Sequence, residues 1–266
     1  MLTAITRAVS PDLGDCELTF LSRQQIDVAR AIAQHEAYCA RFEERGVRVL
    51  HLPAEENSPD ALFVEDTALV LDELAVIARP GAASRRAETA RVAEALSEYR
   101  PLQFIQSPAT LEGGDVLRIG RTLFVGQSAR TNPEGIAQLR QRLAPYDYRV
   151  QAVAVRGCLH LKTGCTFLGS NSLLINRDWV VGASFAGFEL IDLPKTESFA
   201  ANTLVIGGMV LLPDSFPQTH ALLESRGFTV QTLDISELQK AEAGLSCLSL
   251  LFEVEPRVLM KHPPTI

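Results

Sequence analysis

The chain has 266 residues and a formal charge of −7, with 47% hydrophobic and 21% charged residues, the profile of an ordinary globular protein. That composition excludes a disordered chain, and the acidic balance argues against a nucleic-acid or anionic-membrane partner. No apolar run approaches the roughly 18 residues of a membrane span; Leu204 to Leu212 is broken by Gly207 and Gly208, and the first residues lack a signal-peptide pattern.

In chain order the sequence divides into fifths. A helical pattern over 24–45 ends at Gly46, before the strand VRVLHL at 47; a second strand opens at Asp66, and a third reads AVIAR. A helix over 84–99, with Ser84 as its N-cap, leads to LQFIQ at 102, a strand opening at Asp115, and TLFVG. Asn132-Pro133 opens the next helix, followed by YRVQAVAV at 148, a strand opening at Cys165, and LLIN. No good helix separates this unit from FELIDL at 188, which precedes a strand opening at Asn202 and then MVLLP. The last helix runs from about Ser215 to Arg226, stopped by Gly227, before FTVQTLDI at 228 and a strand opening at Cys247.

The second-strand openings lie 49, 50, 37 and 45 residues apart, which suggests radial repetition like a short propeller. The alternative is a general α/β chain whose similarity is accidental. Radial units would bring Asp66, Asp115, Cys165, Asn202 and Cys247 to one end of a central axis. Glu65, Glu112 and His160 would join them.

Cys16, Cys39, Cys158, Cys165 and Cys247 form neither a disulfide framework nor a CxxC metal pattern. A reducing, cytoplasmic setting follows most simply, and each thiol by itself reads as a small buried hydrophobe. Strand alternation puts Leu245, Cys247, Ser249 and Leu251 on one face. A nucleophilic Cys247 needs a base or acid nearby, and His160 in GCLHLKTGC is the candidate. The two glycines beside Glu112 let the backbone approach another group or take a positive φ. Asp60, Glu65, Asp66, Glu112 and Asp115 would together form an acidic pocket suited to a guanidinium. Arg85 and Arg130 precede helices and could clamp a carboxylate. A metal site of His160, Cys158 and Cys165 is a rival reading, weakened because His160 and Cys165 would face opposite ways in an unbroken strand.

The segments FVEDTALVLDELAVIARPGAASRRAET, TLEGGDVLRIGRTLFVGQSARTN, LHLKTGC and GLSCLSLLF resemble the dimethylarginine dimethylaminohydrolase family. That family belongs to the guanidine-modifying superfamily of five-bladed penteins, so the resemblance implies an α/β pentein propeller. It covers about residues 1–253, implying one catalytic domain at 1–255 and an extra tail at 256–266. By position it implies Cys247 as nucleophile, His160 as general acid and base, and Glu112 orienting His160. Asp66 would hold the guanidinium, with Asp60 and Glu65 close by, and Arg85 and Arg130 would hold the α-carboxylate. Phe63 would pack on the aliphatic chain, Leu18 would ride on a lid, and carbonyls near Ala241 would take the α-amino group.

The implied reaction releases dimethylamine or methylamine and citrulline through a covalent thiouronium, with no metal or organic cofactor. The partner is a small methylated arginine, and a monomer or a homodimer is left open. A neutral resting thiol that ionises when the cationic substrate arrives is a further expectation. Two positions depart from the family pattern: Glu242-Ala243-Gly244 stands where Asp-Gly-Gly is common, and Leu251 where a basic residue is common. Arginine deiminase and amidinotransferases are larger as a rule, agmatine lacks the carboxylate the arginines would bind, and a non-catalytic five-bladed binding protein has no need of these side chains.

Overall fold

The structure, a computed structural model, describes residues 1–254; the tail expected at 256–266 lies outside the described residues. The strands in chain order are β1 (Leu2–Arg7), β2 (Arg48–Leu52), β3 (Ala68–Val70), β4 (Ala75–Ile77), β5 (Leu102–Phe104), β6 (Val116–Ile119), β7 (Thr122–Gln127), β8 (Arg149–Ala154), β9 (Cys165–Gly169), β10 (Ser172–Ile175), β11 (Glu189–Asp192), β12 (Leu204–Ile206), β13 (Met209–Pro213), β14 (Thr229–Leu233) and β15 (Leu250–Glu253). They form five three-stranded sheets: β3-β4-β5, β6-β7-β8, β9-β10-β11, β12-β13-β14 and β15-β1-β2.

Each sheet repeats one pattern. The inner strand pairs antiparallel with the middle one, which pairs parallel with the outer one, as in Ala68↔Ile77 and Ala75↔Leu102. A parallel pair needs a crossover. Helices supply it in four sheets: α1 (Val28–Glu43), α2 (Thr89–Ser97), α3 (Pro133–Leu143) and, after the one-turn α4 (Leu161–Gly164), α5 (Pro217–Ser225). The β10–β11 crossover has only a 3-10 turn at Gly182–Phe185, as expected there. A last short helix, α6, covers Ser236–Gln239.

The middle strands are flanked on both edges and read as apolar runs: β4, β10 and β13 are buried throughout. The outer strands have one free edge and stay partly exposed, β8 burying only Val150 and Val153. Side chains from neighbouring sheets interlock, as where Ile5, Leu250 and Phe252 meet Val64, Val70, Ile77 and Leu96. Each such buried side chain contributes about 1.5–3 kcal/mol.

Two expectations need correction. A sheet joins the second and third strands of one fifth to the first strand of the next, so the repeat is phased one strand later than the sequence suggested. The fifth sheet also takes its middle strand from β1, a segment to which the sequence pattern assigns no strand; Ala4 pairs with Leu251 and Val49. Helix caps agree at α3, where the Asn132 side chain accepts from the Gly135 amide at 2.8 Å. Ser84 is not the N-cap of a long helix. It opens a 3-10 turn, Ser84–Glu88, and its hydroxyl donates to Glu17 Oε1 at 2.6 Å.

Candidate active site

Four inner strands are preceded by a single helical turn: Val64–Thr67, Gly113–Asp115, Leu161–Gly164 and Ser246–Leu248. The first turn packs on the second and fourth, and the third packs on the second, so their side chains gather at one end of the axis. Residues 246–248 are thus helical, and the simple alternation expected through Cys247 begins only beyond it. Cys165 is the opening residue that does not join. Its side chain is buried in the core cluster with Leu117, Phe124 and Leu173.

The central pair is His160 and Glu112, with Nε2 2.6 Å from Glu112 Oε2. His160 precedes the α4 turn, and its amide donates to Thr163 Oγ1 at 3.4 Å. Asp115 fixes that turn by accepting from the Leu161 amide at 2.9 Å. Glu112 is fully buried and its second oxygen accepts from the Gly81 amide at 2.9 Å. The glycines beside it serve close approach: a Cβ on Gly114 would stand 2.7 Å from both Asp66 Oδ1 and His160 Nδ1. Asp66 Oδ1 accepts from the Gly114 amide at 3.1 Å and lies 3.8 Å from His160 Nε2.

Cys247 is held from the other side. Asn202 Nδ2 lies 3.7 Å from Cys247 Sγ, and Asn202 Oδ1 accepts from the Ser246 amide at 3.0 Å. Glu65 lies behind, accepting from Lys162 Nζ at 2.5 Å and from the Ser246 hydroxyl at 2.8 Å.

These groups line a narrow cavity walled by Glu17, Asp60, Phe63, Asp66, Arg85, Arg130, Leu159, His160, Ala241, Glu242, Ala243 and Cys247. Most of the residues singled out from the sequence therefore face one space. Of the site residues that the resemblance implies, three do not form its wall: Glu112 lies behind His160, Glu65 behind Ser246, and Leu18 is half-buried against the core. Arg85 is deeply committed, with Nη1 2.7 Å from Asp66 Oδ2, Nη2 3.0 Å from Glu88 Oε2, and carbonyls of Asp60 and Phe63 at 3.3 Å. Arg130 is held more loosely, at 3.5 Å from Glu112 Oε1 and 3.2 Å from Thr19 Oγ1.

The electrostatics of Cys247 and His160 differ. Burial, then the charges of Glu65 and Asp66, push the Cys247 thiol up to about 12. Burial pulls His160 down, but Asp66, the Glu112 hydrogen bond and Asp115 outweigh it and raise the imidazole above its ordinary range. Burial likewise raises Glu112, yet the hydrogen bond and charge of His160, with Arg85 and Arg130, hold it below the usual carboxylate range. At neutral pH the pair is imidazolium–carboxylate beside a neutral thiol.

Asp66, Glu112 and His160 also offer ligand atoms within 4.8 Å of one another, enough for a metal ion by distance alone. Each is already engaged, through the His160–Glu112 pair and the Asp66–Arg85 ion pair. Cys158 turns its thiol to the His160 carbonyl at 3.3 Å, away from the ring, and Cys165 lies in the core, so neither supports the cysteine–histidine metal reading. Lys162 and Glu242 were not anticipated. Lys162 was legible in LHLKTGC once 161–164 is read as a helical turn, whereas nothing local indicates where the Glu242 side chain reaches.

A family model described as N,N dimethylarginine dimethylhydrolase, eukaryotic, matches residues 19–244. The chain belongs to the dimethylarginine dimethylaminohydrolase family. It is 37% identical over 228 residues to the N(G),N(G)-dimethylarginine dimethylaminohydrolase of Pseudomonas aeruginosa, covering 85% of this chain and 90% of that one. It is also 37% identical over 250 residues to the Streptomyces coelicolor enzyme of that name, covering 93% and 95%. A cysteine-to-serine variant of the Pseudomonas aeruginosa enzyme complexed with citrulline superposes with a TM-score of 0.89 at 35% identity, covering 94% of this chain and 98% of that one. The N-terminal domain of a cyanobacterial arginine dihydrolase, 20% identical with a TM-score of 0.82 over 94% and 98% of the chains, shares the fold. The architecture of this dimethylarginine dimethylaminohydrolase family member is the five-bladed pentein fold. No helix among the described residues is long and apolar enough to cross a membrane.

Proposed function

We propose that this chain hydrolyses Nω-methylated arginines, asymmetric dimethylarginine and monomethylarginine, to citrulline and dimethylamine or methylamine. The observation that carries the reading is one buried cavity walled by Cys247 and His160, with Glu112 2.6 Å behind the imidazole and Asp66 beside it.

Asp66, with Asp60 and Glu65 close by, supplies the negative field for the substrate guanidinium. Arg130 and Arg85 receive the α-carboxylate, which replaces the Thr19 hydroxyl on Arg130. Phe63 covers the aliphatic chain, Leu18 closes the loop above, and the Ala241 carbonyl takes the α-ammonium. The guanidinium charge lowers the Cys247 pKa and the thiol proton leaves to solvent. The thiolate adds to the guanidinium carbon, His160 protonates the departing amine, and the C–N bond breaks to give a thiouronium. His160 then takes a proton from water as its oxygen adds to that carbon. The C–S bond breaks as the added hydroxyl gives its remaining proton to the leaving sulfur, and citrulline and the Cys247 thiol result. Glu112 keeps the imidazole oriented and charged through the first step. No step requires a metal or organic cofactor.

The closed ring of five sheets supports one catalytic domain over 1–255. Five buried, unpaired thiols fit a reducing cytoplasm. Mass-resolved product analysis of the protein and its Cys247→Ser variant with asymmetric dimethylarginine and arginine tests the assignment. Citrulline with dimethylamine, abolished in the variant, is expected; ammonia from arginine instead would move the reaction to a deiminase, and no turnover of either would overturn it.

A further inference from the structure

The segment over 16–26 is rooted in the core at its start by the fully buried Cys16, and beyond that residue it has few apolar anchors. Leu18 and Ile26 are half-buried against the core, whereas Glu17, Thr19, Phe20 and residues 22–25 are exposed. The segment nevertheless lies at the cavity, where Glu17 forms part of the wall, and polar contacts to the cavity's own residues hold it there. The Glu17 amide donates to Asp60 Oδ2 at 3.0 Å, and Arg130 Nη2 donates to Thr19 Oγ1 at 3.2 Å. Both partners are groups that a bound amino acid would claim.

Outside the cavity, Ser84 Oγ donates to Glu17 Oε1 at 2.6 Å and Lys240 Nζ to the Gln25 carbonyl at 3.1 Å, but the anchor with the most contacts is Glu242. The amides of Thr19, Phe20 and Leu21 all donate to its Oε1, at 2.9, 2.5 and 2.6 Å. Consecutive amides turned onto one anionic oxygen form a concave nest. Glu242 reaches them from a left-handed backbone position, φ 60°, which a non-glycine residue adopts only when its surroundings impose it. Its Oε2 is buried with no hydrogen-bond partner, so the hydrogen bonds of the half-buried carboxylate all go to the loop. Glu242 also follows Ala241 directly and lines the same cavity as Cys247.

We propose that Glu242 is a positioning residue: its carboxylate latches the 16–26 loop over the cavity, controlling access to Cys247 and retention of substrate. The substrate part rests on the function proposed above. When an amino acid occupies Asp60 and Arg130, two of the loop's holds are surrendered, and the three amides on Glu242 become the main hold at its centre, between the outer contacts of Glu17 and Gln25.

The test compares Glu242→Ala with Glu242→Gln, which keeps an acceptor oxygen at the same reach but loses the charge. In unliganded protein, hydrogen exchange at amides 19–21 and the rate at which iodoacetamide labels Cys247 are followed by mass spectrometry. Charge-assisted hydrogen bonds of this kind predict labelling about tenfold faster or more in Glu242→Ala, with lost amide protection and a KM raised by a similar factor while kcat changes less. Glu242→Gln should lie between. Wild-type protection and labelling in Glu242→Ala would overturn the latch, as would a fall in kcat at unchanged KM. If the alanine variant does not fold, unchanged protection in Glu242→Gln overturns it equally. Should methylarginines not be turned over and Glu242→Ala still bare Cys247, the latch stands and the proposed reaction falls.

Discussion

Replacing Glu112 by Gln removes one charge behind His160 and leaves the shape of the site. At 2.6 Å and an effective dielectric constant of about 20, two unit charges attract by roughly 6 kcal/mol. Part of that is returned, because a neutral amide escapes the burial that disfavours the ionised carboxylate and can still accept a hydrogen bond. A net loss of about half, roughly 3 kcal/mol, corresponds to about two orders of magnitude in kcat/KM. The sign of the pH effect is fixed as well. Glu112 raises the His160 pKa, and the leaving amine needs the protonated ring, so the basic limb of kcat/KM moves to lower pH in Glu112→Gln. Citrulline formation from asymmetric dimethylarginine, measured across pH, reads both quantities. A variant within about threefold of the wild type and with an unmoved basic limb would refute the role given to this pair.

Two further predictions concern the nucleophile and its support. With Cys247 pushed up to about 12, its alkylation in unliganded protein should keep rising through the ordinary thiol range. Binding of a cationic, uncleaved guanidine ligand should release about one proton. Calorimetry in buffers of different ionisation enthalpy measures the release, and a plateau near about 8.5 without proton release would contradict the account. Lys162→Met should cost roughly 3 kcal/mol at neutral pH by leaving Glu65 buried and unpaired. Burial already raises the Glu65 pKa against the pull of Lys162. A raised carboxylate destabilises above its folded pKa and is relieved as pH falls through it. Denaturation at pH 7 and in mild acid should therefore show a deficit that shrinks in acid, and an equal deficit at both would be inconsistent with this.

Much of this molecule is legible because its repeat is local. Apolar runs such as MVLLP and the cap at Asn132-Pro133 declare themselves within a few residues. The second-strand openings Asp66, Asp115, Asn202 and Cys247 reveal the shared end of the axis through their spacing. What stayed hidden is non-local. The phase of the sheets depends on which strand the crossover returns to, and the sequence of one unit does not specify that. The helical turn through Cys247 was obscured because GLSCLSLLF has the apolar content of a strand. Arg85 reads as an exposed turn residue, yet Asp66 and Glu88 draw it inside as an ion pair that no short window contains. Glu242 sits 221 to 223 residues from the amides it binds.

The seam between β1 and β15 has a consequence for how the active site comes into being. Cys247, the proposed nucleophile, lies three residues before a strand paired to Leu2–Ile5, so it is fixed against residues made far earlier in synthesis. Until Leu250–Glu253 has left the ribosome, the ring is open at the wall that carries Cys247, and a nascent chain holds His160 and Glu112 without that thiol in place. The proposed chemistry therefore waits until β15 has paired with β1.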